Sequence, residues 1–332
     1  MSLFDPCVIG GIESRNHFVR SATWRGTGDD NGHPTEKTKQ ILCDLADGGV
    51  GVIITSFACV DDYEKSLHNM LGIYDDSFIP EYKEIVDAVH ARGGKIVMQI
   101  AHGSAQSQEH PETAKILGPS PVKDLKSGII PVEMQYDDIA AVVKLFVSAA
   151  VRAKKAGFDG VQIHAAHGYL LSKFISPFYN RRLDEFGGTM KNQVRIIEAI
   201  LMSIKALLGD DYPVWIKMNS VDELPERCEN GLTVAQFVKM GKILAQKGID
   251  CIEVSGLGWN QHDQEKERAY YLEGARALAF EIDKDVILTG GLREYSMIKK
   301  IDQGQGVHFF GFSRPLIKDP AFVKKLEAEA KA

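Results

Sequence analysis

The stretch YDDIAAVVKLFVSAAVRAKKAGFDGVQI, residues 136–163, decides how this chain folds. Residues 136–156 repeat apolar side chains at three- and four-residue steps, the period of a helix with one buried face. Gly157 follows as a helix-ending residue. The run 158–163 that comes next is short and mostly apolar, which suits a strand buried on both faces. The same junction of helix, glycine and strand recurs at Ala46-Asp47-Gly48-Gly49 and at Ala91-Arg92-Gly93-Gly94.

Working outward, strand-like runs fall at 16–22, 50–55, 95–100, 158–163, 213–218, 250–255, 285–289 and 307–311. Helical patterns lie between them, near 35–47, 78–92, 136–156, 192–208, 233–247, 270–282 and 294–303. Eight strands alternating with helices predict an α/β fold, a (β/α)8 TIM barrel occupying 1–332 as one domain. An open doubly wound sheet is the competing arrangement, but no G-x-G-x-x-G phrase follows the first strand. Residues 2–15 read as a hairpin capping the lower mouth. The segment 101–135 is too long for an ordinary loop between a strand and a helix, and reads as an excursion over the active site.

Composition narrows the classes. The chain has 332 residues, a net charge of −6 and 44% hydrophobic residues, an ordinary globular balance that gives nucleic acid no basic surface. Cys7, Cys43, Cys59, Cys228 and Cys251 form no zinc-type spacing and fit a reducing compartment. No apolar run is long enough to span a membrane and no signal peptide opens the chain, so the expectation is a cytoplasmic protein.

A barrel of this type carries its chemistry on the loops after the strands. The strand ends are polar or glycine-rich: Gln99 with His102, His164 with His167, Lys217 with Asn219, Ser255-Gly256, Gly290-Gly291 and Ser313-Arg314. The two glycines let backbone N–H groups approach an anion, and an arginine can hold phosphate bidentately. Loops after the seventh and eighth strands are the usual phosphate site of such barrels. His164-Ala-Ala-His167-Gly-Tyr169 admits three readings. The histidines form a metal pair, or a pair of donors for a developing oxyanion with Tyr169 as proton donor, or His164 is a satisfied core residue.

The run from His164 through Phe174-Ile-Ser-Pro, Asn180-Arg-Arg-Leu-Asp-Glu-Phe-Gly-Gly188, Asn192 and Arg195 resembles the Old Yellow Enzyme family of NADH:flavin oxidoreductases. The likeness extends to Asn16–Trp24, Gln99–His102, Ser255-Gly256, Thr289–Gly291 and Ser313–Pro320. It implies bound FMN, NADH or NADPH as reductant, and a small-molecule electrophile such as an activated alkene as acceptor. A homo-oligomer is compatible with it; nucleic acid, membrane and metal have no part in it. It places the backbone of Ser21, Ala22 and Thr23 on the isoalloxazine, Gln99 on the pyrimidine edge and Lys217 near flavin N1. Ser255, Gly256, Gly290, Gly291, Ser313 and Arg314 complete the cofactor site, the last three as phosphate ligands. His164 and His167 would hold the substrate oxygen and Tyr169 would protonate carbon. The phrase 180–188 would brace the loop after the fourth strand.

Against that family pattern, Trp24 stands where many members carry Cys or Thr beside flavin N5, Phe57 at a cofactor-binding position where a small residue is frequent, and Lys217 where arginine is frequent. Trp24, His68 and Trp259 would shape the substrate pocket. Longer members continue into an iron–sulfur segment. No cysteine cluster follows Arg314, so the reductant is expected to dock directly on the flavin. Two other functions fit the same residues: a metal-dependent barrel lyase or isomerase, and a flavin-binding redox sensor.

Overall fold

The computed structural model describes residues 2–62, 65–107, 115–225, 228–257, 262, 267–304 and 306–331. Eight parallel strands close on themselves: Phe18–Arg20, Val52–Ile54, Lys95–Ala101, Gly160–Ala165, Val214–Asn219, Cys251–Ser255, Asp285–Thr289 and Phe309–Phe312. The third strand pairs with the fourth and the eighth with the first, which closes the ring and rules out the open sheet. Two short strands, Ala58–Cys59 and Leu71–Gly72, extend the sheet beside the third strand.

The helix of the deciding stretch runs Tyr136–Lys155. Gly157 follows with φ +91°, and the N–H of Phe158 returns to the carbonyl of Ala153, so the chain reverses into the fourth strand within two residues. The expected helix over 192–208 divides into Met190–Gln193 and Arg195–Leu208, and that over 270–282 shortens to Leu272–Ala279. A helix that periodicity did not reveal, Leu170–Ile175, is buried on every face, its polar Ser172 and Lys173 included, so it has no exposed face for a pattern to mark.

Inward side chains change character along the barrel axis. At the N-terminal end they are apolar: Val19, Val52, Val97, Trp215, Cys251 and Ile287 pack with Ile9 and Ile12 of the N-terminal hairpin. That hairpin, Cys7–Ile9 against Ile12–Ser14, turns at Gly10 and Gly11 and closes the lower mouth, as expected. Its Gly10 carbonyl accepts the Trp215 indole N–H at 2.9 Å, and its Gly10 N–H donates to Asp285 at 2.7 Å. A Cβ at Gly10 would lie 2.4 Å from the indole nitrogen, so only glycine fits this turn over the tryptophan.

The segment 101–135 does leave the barrel, and its described part carries the paired strands Leu117–Gly118 and Val132–Glu133. It is bound to the phrase 180–188. Arg182 pairs with Asp184 and donates to the carbonyls of Pro119 and Met134, while Asn180 donates to the carbonyls of Phe174 and Phe186. Lys173 and Asp124, both buried, pair at 2.8 Å across the same junction.

Trp215→Ala empties the plug under the barrel and is expected to cost about 3–5 kcal/mol of unfolding free energy, read by urea denaturation. A loss under ~1 kcal/mol would mean the hairpin does not depend on that indole.

Candidate functional site

The C-terminal mouth holds a cavity of about 360 Å³. Its wall contains Ser21, Ala22, Thr23, Trp24, Phe57, Gln99, His164, His167, Tyr169, Lys217, Ser255, Gly290, Gly291, Ser313 and Arg314. Fifteen strand-end residues named from sequence thus converge on one space. Two named residues lie elsewhere, and a third is not described. Gly256 sits beneath the Tyr271 ring, where a Cβ would meet a ring carbon at 2.4 Å. His68 is exposed and is not part of the wall. Trp259 lies outside the described residues.

The floor is a buried polar network. The strand register sets Lys217 beside Glu253 and Gln162 beside Gln99. Lys217 Nζ lies 3.1 Å from a Glu253 carboxylate oxygen and donates to Ser21 Oγ at 2.8 Å. Glu253 also accepts from Ser21, from Gln162 at 2.8 Å and from Thr289 at 2.8 Å. These partners hold the carboxyl below the usual carboxylate range although it is fully buried. Gln99 donates to Gln162 at 2.6 Å, which leaves the Gln99 carbonyl oxygen buried with no partner.

The first-strand loop is held by its carbonyls. Arg20 donates to the carbonyls of Ile54 and Thr23, and burial pushes its guanidinium down to about 9. Thr23 Oγ1 donates to Ser313 Oγ at 2.8 Å, joining the first loop to the eighth. Trp24 lies 43% exposed at the rim.

The turn 164–169 is shaped by Asn219, whose amide oxygen accepts the His167 N–H at 3.0 Å while His167 adopts a left-handed φ of +62°. The rings of His164 and His167 stand perpendicular with centroids 5.1 Å apart, and Tyr169 lies 4.9 Å from His164. The Ala166 N–H donates to His164 Nδ1, so a neutral His164 carries its proton on Nε2. His167 Nε2 lies 2.8 Å from Ser255 Oγ. Burial and the nearby Lys217 hold both imidazoles well below their ordinary value, while burial raises the Tyr169 phenol. The site therefore presents two neutral imidazoles and a protonated phenol around neutral pH. Among the described residues no third His, Cys, Asp or Glu joins them to make a metal-holding group.

At the opposite end, Tyr270 lies over Gly290 and Gly291, and His262 stacks on Tyr270 at 4.2 Å. One Arg314 guanidinium nitrogen there is buried without a partner. Glu253, Gln162, Tyr270, Tyr271, Gln106 and Lys126 are site or network residues that the sequence reading missed. Glu253 and Gln162 did leave a signal: each is a polar residue inside an apolar strand run, two positions before an expected site residue. No helix among the described residues is long and apolar enough to cross a membrane.

Residues 2–332 match the model of the NADH:flavin oxidoreductase / NADH oxidase family. The chain is 34% identical over 331 residues to an NADH oxidase of Thermoanaerobacter brockii, covering 98% of this chain and 50% of that protein. It is 28% identical over 323 residues to an NADPH dehydrogenase of Bacillus subtilis (strain 168), covering 97% and 93%. The chain spans about half the length of that NADH oxidase and of a metal reductase of Desulforamulus reducens, to which it is 31% identical. Among solved structures, a morphinone reductase in complex with tetrahydroNAD superposes with TM-score 0.84 at 22% identity, covering 99% of this chain and 91% of that one. A 2-naphthoyl-CoA reductase complex gives TM-score 0.91 at 24% identity, covering 98% and 52%. Both structures share the fold.

The two orphaned polar groups test whether this cavity suits FMN. A flavin brings a ring edge that hydrogen-bonds and a phosphate that needs cations. The unpartnered Gln99 oxygen and the unpartnered Arg314 nitrogen offer one group for each, and both residues line the cavity. The residues present fit the group.

Depressed imidazoles carry a stability signature. Below the ordinary histidine value of 6.5 the unfolded chain takes up protons that folded His164 and His167 refuse. Unfolding free energy is therefore expected to fall as pH drops from 7 to 5, by up to about 1.4 kcal/mol per pH unit per histidine. His164→Asn should flatten that slope by about one proton in denaturation curves; an unchanged slope would place a charged imidazole in the folded site.

Proposed function

Because the chain belongs to the NADH:flavin oxidoreductase / NADH oxidase family, we propose that it is an FMN-dependent NAD(P)H oxidoreductase whose acceptor is an activated alkene or a related electrophile. The observation that carries this reading is the pair of unpartnered buried groups, Gln99 Oε1 and Arg314 Nη1, lining one cavity with two neutral imidazoles between them in the strand order. FMN, when bound, supplies the hydride-transferring centre.

The chain's own residues do the rest. Gln99 fixes the pyrimidine edge, and the carbonyl-anchored turn of Ser21, Ala22 and Thr23 supports the ring. Gly290, Gly291, Ser313 and Arg314 receive the phosphate, with Ser255 and Lys217 along the cofactor between. His164, protonated on Nε2, and His167 donate to the activating oxygen of the acceptor, where negative charge develops as hydride arrives at the β-carbon. Such donors stabilise the transition state more than the ground state. They stay neutral at working pH, so they act as hydrogen-bond donors rather than acids. Tyr169 is the acid: its buried phenol keeps its proton until carbon takes it. Trp24 and Phe57 narrow the face on which the acceptor lies. The metal-dependent alternative lacks a third ligand among the described residues.

The purified protein is expected to be yellow, and to be bleached anaerobically by NADH or NADPH. A stopped-flow panel of enones, nitro compounds and enoyl thioesters against the reduced protein should identify an acceptor class. His164→Ala should slow that reoxidation about a hundredfold, roughly 3 kcal/mol of barrier, with FMN retained. Tyr169→Phe should slow alkene reduction and leave reduction by the nicotinamide unchanged. Protein that takes up no FMN would end the proposal, and equal slowing of both half-reactions in Tyr169→Phe would remove Tyr169 from its role.

A further inference from the structure

The buried carboxylate on the sixth strand is used by none of the steps above. Glu253 is fully buried, and its contacts are Lys217, Ser21, Gln162 and Thr289. Three of these four are neutral, and a neutral amide could satisfy much of that hydrogen bonding. The charge is what a glutamine would not supply, and burying it is costly before pairing.

Lysine has three donors. Ser21 takes one and Glu253 a second, so one N–H of Lys217 is left for whatever occupies the cavity it lines. The occupant then meets a paired ammonium rather than a lone one. Reduced flavin carries negative charge near N1, and charge near N1 is one of the levers by which a protein sets flavin electronics. A lone buried cation there would favour the anionic reduced ring. A carboxylate 3.1 Å from the same nitrogen cancels most of that field.

We propose that Glu253 is a positioning residue that clamps Lys217 and cancels its charge, so that the flavin floor of this barrel is an ion pair with a lower flavin potential than a lone lysine would give. The inference rests on the FMN reading of the preceding subsection. Among the described residues, the other charged or titratable groups around the pair are Arg20, whose guanidinium is committed to the carbonyls of Ile54 and Thr23, the Cys251 thiol, which burial keeps protonated, and the neutral His164 and His167. Glu253 remains ionised in this setting because its partners outweigh its burial.

The test is an anaerobic potential titration of FMN-loaded protein over a range of pH. Glu253→Gln is expected to shift the two-electron equilibrium at least tenfold toward the reduced flavin, about 30 mV more positive. Its potential should also change from a two-proton to a one-proton pH slope at a lower pH than wild type, because the uncovered lysine holds the reduced ring as an anion. Lys217→Met/Glu253→Gln removes both charges and should titrate within threefold of wild type. This double variant decides the matter even if Glu253→Gln fails to fold. A tenfold shift of the double variant toward oxidised flavin would mean that Lys217 acts as a lone cation in the wild type, and would overturn the inference. So would Glu253→Gln protein with unmoved potential and slope. Wild-type protein that binds no FMN would overturn both the flavin reading and this inference, whereas FMN uptake with an unmoved potential in Glu253→Gln overturns this inference alone.

Discussion

A carboxylate without access to water sits on the barrel axis, and its partners come from four other strands or strand ends. Ser21 follows the first strand, Gln162 lies on the fourth, Lys217 on the fifth and Thr289 ends the seventh; Gln99 on the third joins through Gln162. An unpaired carboxylate at this depth would be prohibitively costly. The strands must therefore close in the one register that brings these groups together, and that register also aims the next inward residues, His164 and Ser255, into the cavity. The network that satisfies one buried charge is thus also the platform on which the site stands.

Most of the architecture could be read from the chain because it is written in period. Near-continuous apolar strands and single-faced helices such as Tyr136–Lys155 carry their burial in their spacing. The strand-end residues were legible for a further reason: a parallel barrel always delivers its C-terminal strand ends to one rim. Gln99, Lys217 and Ser255 needed only the strand assignment to be placed. Gly256 is not in the wall, since being next to a rim residue does not decide whether a ring such as Tyr271 covers it.

What escaped was set by contacts distant in sequence. Glu253 and Gln162 are polar residues inside apolar runs, and reading the inward alternation back from Ser255 and His164 would have found both. Tyr270, Tyr271 and Lys126 come from loops after the strands, where no period fixes direction. His68, expected at the pocket, lies on such a loop and is exposed. The phrase 180–188 was legible as a brace from its run of charged residues, Arg181, Arg182, Asp184 and Glu185; Arg182 and its neighbour Asn180 bind four backbone carbonyls.

The same burial acts in opposite directions on the groups around the cavity, and this divides their labour. Desolvation favours the neutral form of any ionisable group, so it lowers the imidazoles of His164 and His167 and raises the phenol of Tyr169. In the proposed reaction, a donor that must strengthen its hydrogen bond without losing its proton is best neutral, and an acid that must wait for a carbanion is best reluctant. One dry wall beside the Phe57 ring, which contacts both His164 and Tyr169, supplies both conditions. Glu253 is the exception that stays charged, because Lys217 and three hydrogen-bond donors surround it, whereas burial and the Lys217 charge both push the imidazoles toward their neutral form. The neutral groups of His164, His167 and Tyr169 thus stand over a floor whose two charges, Lys217 and Glu253, are paired with each other, while the Arg314 cation lines the same cavity from the loop after the eighth strand.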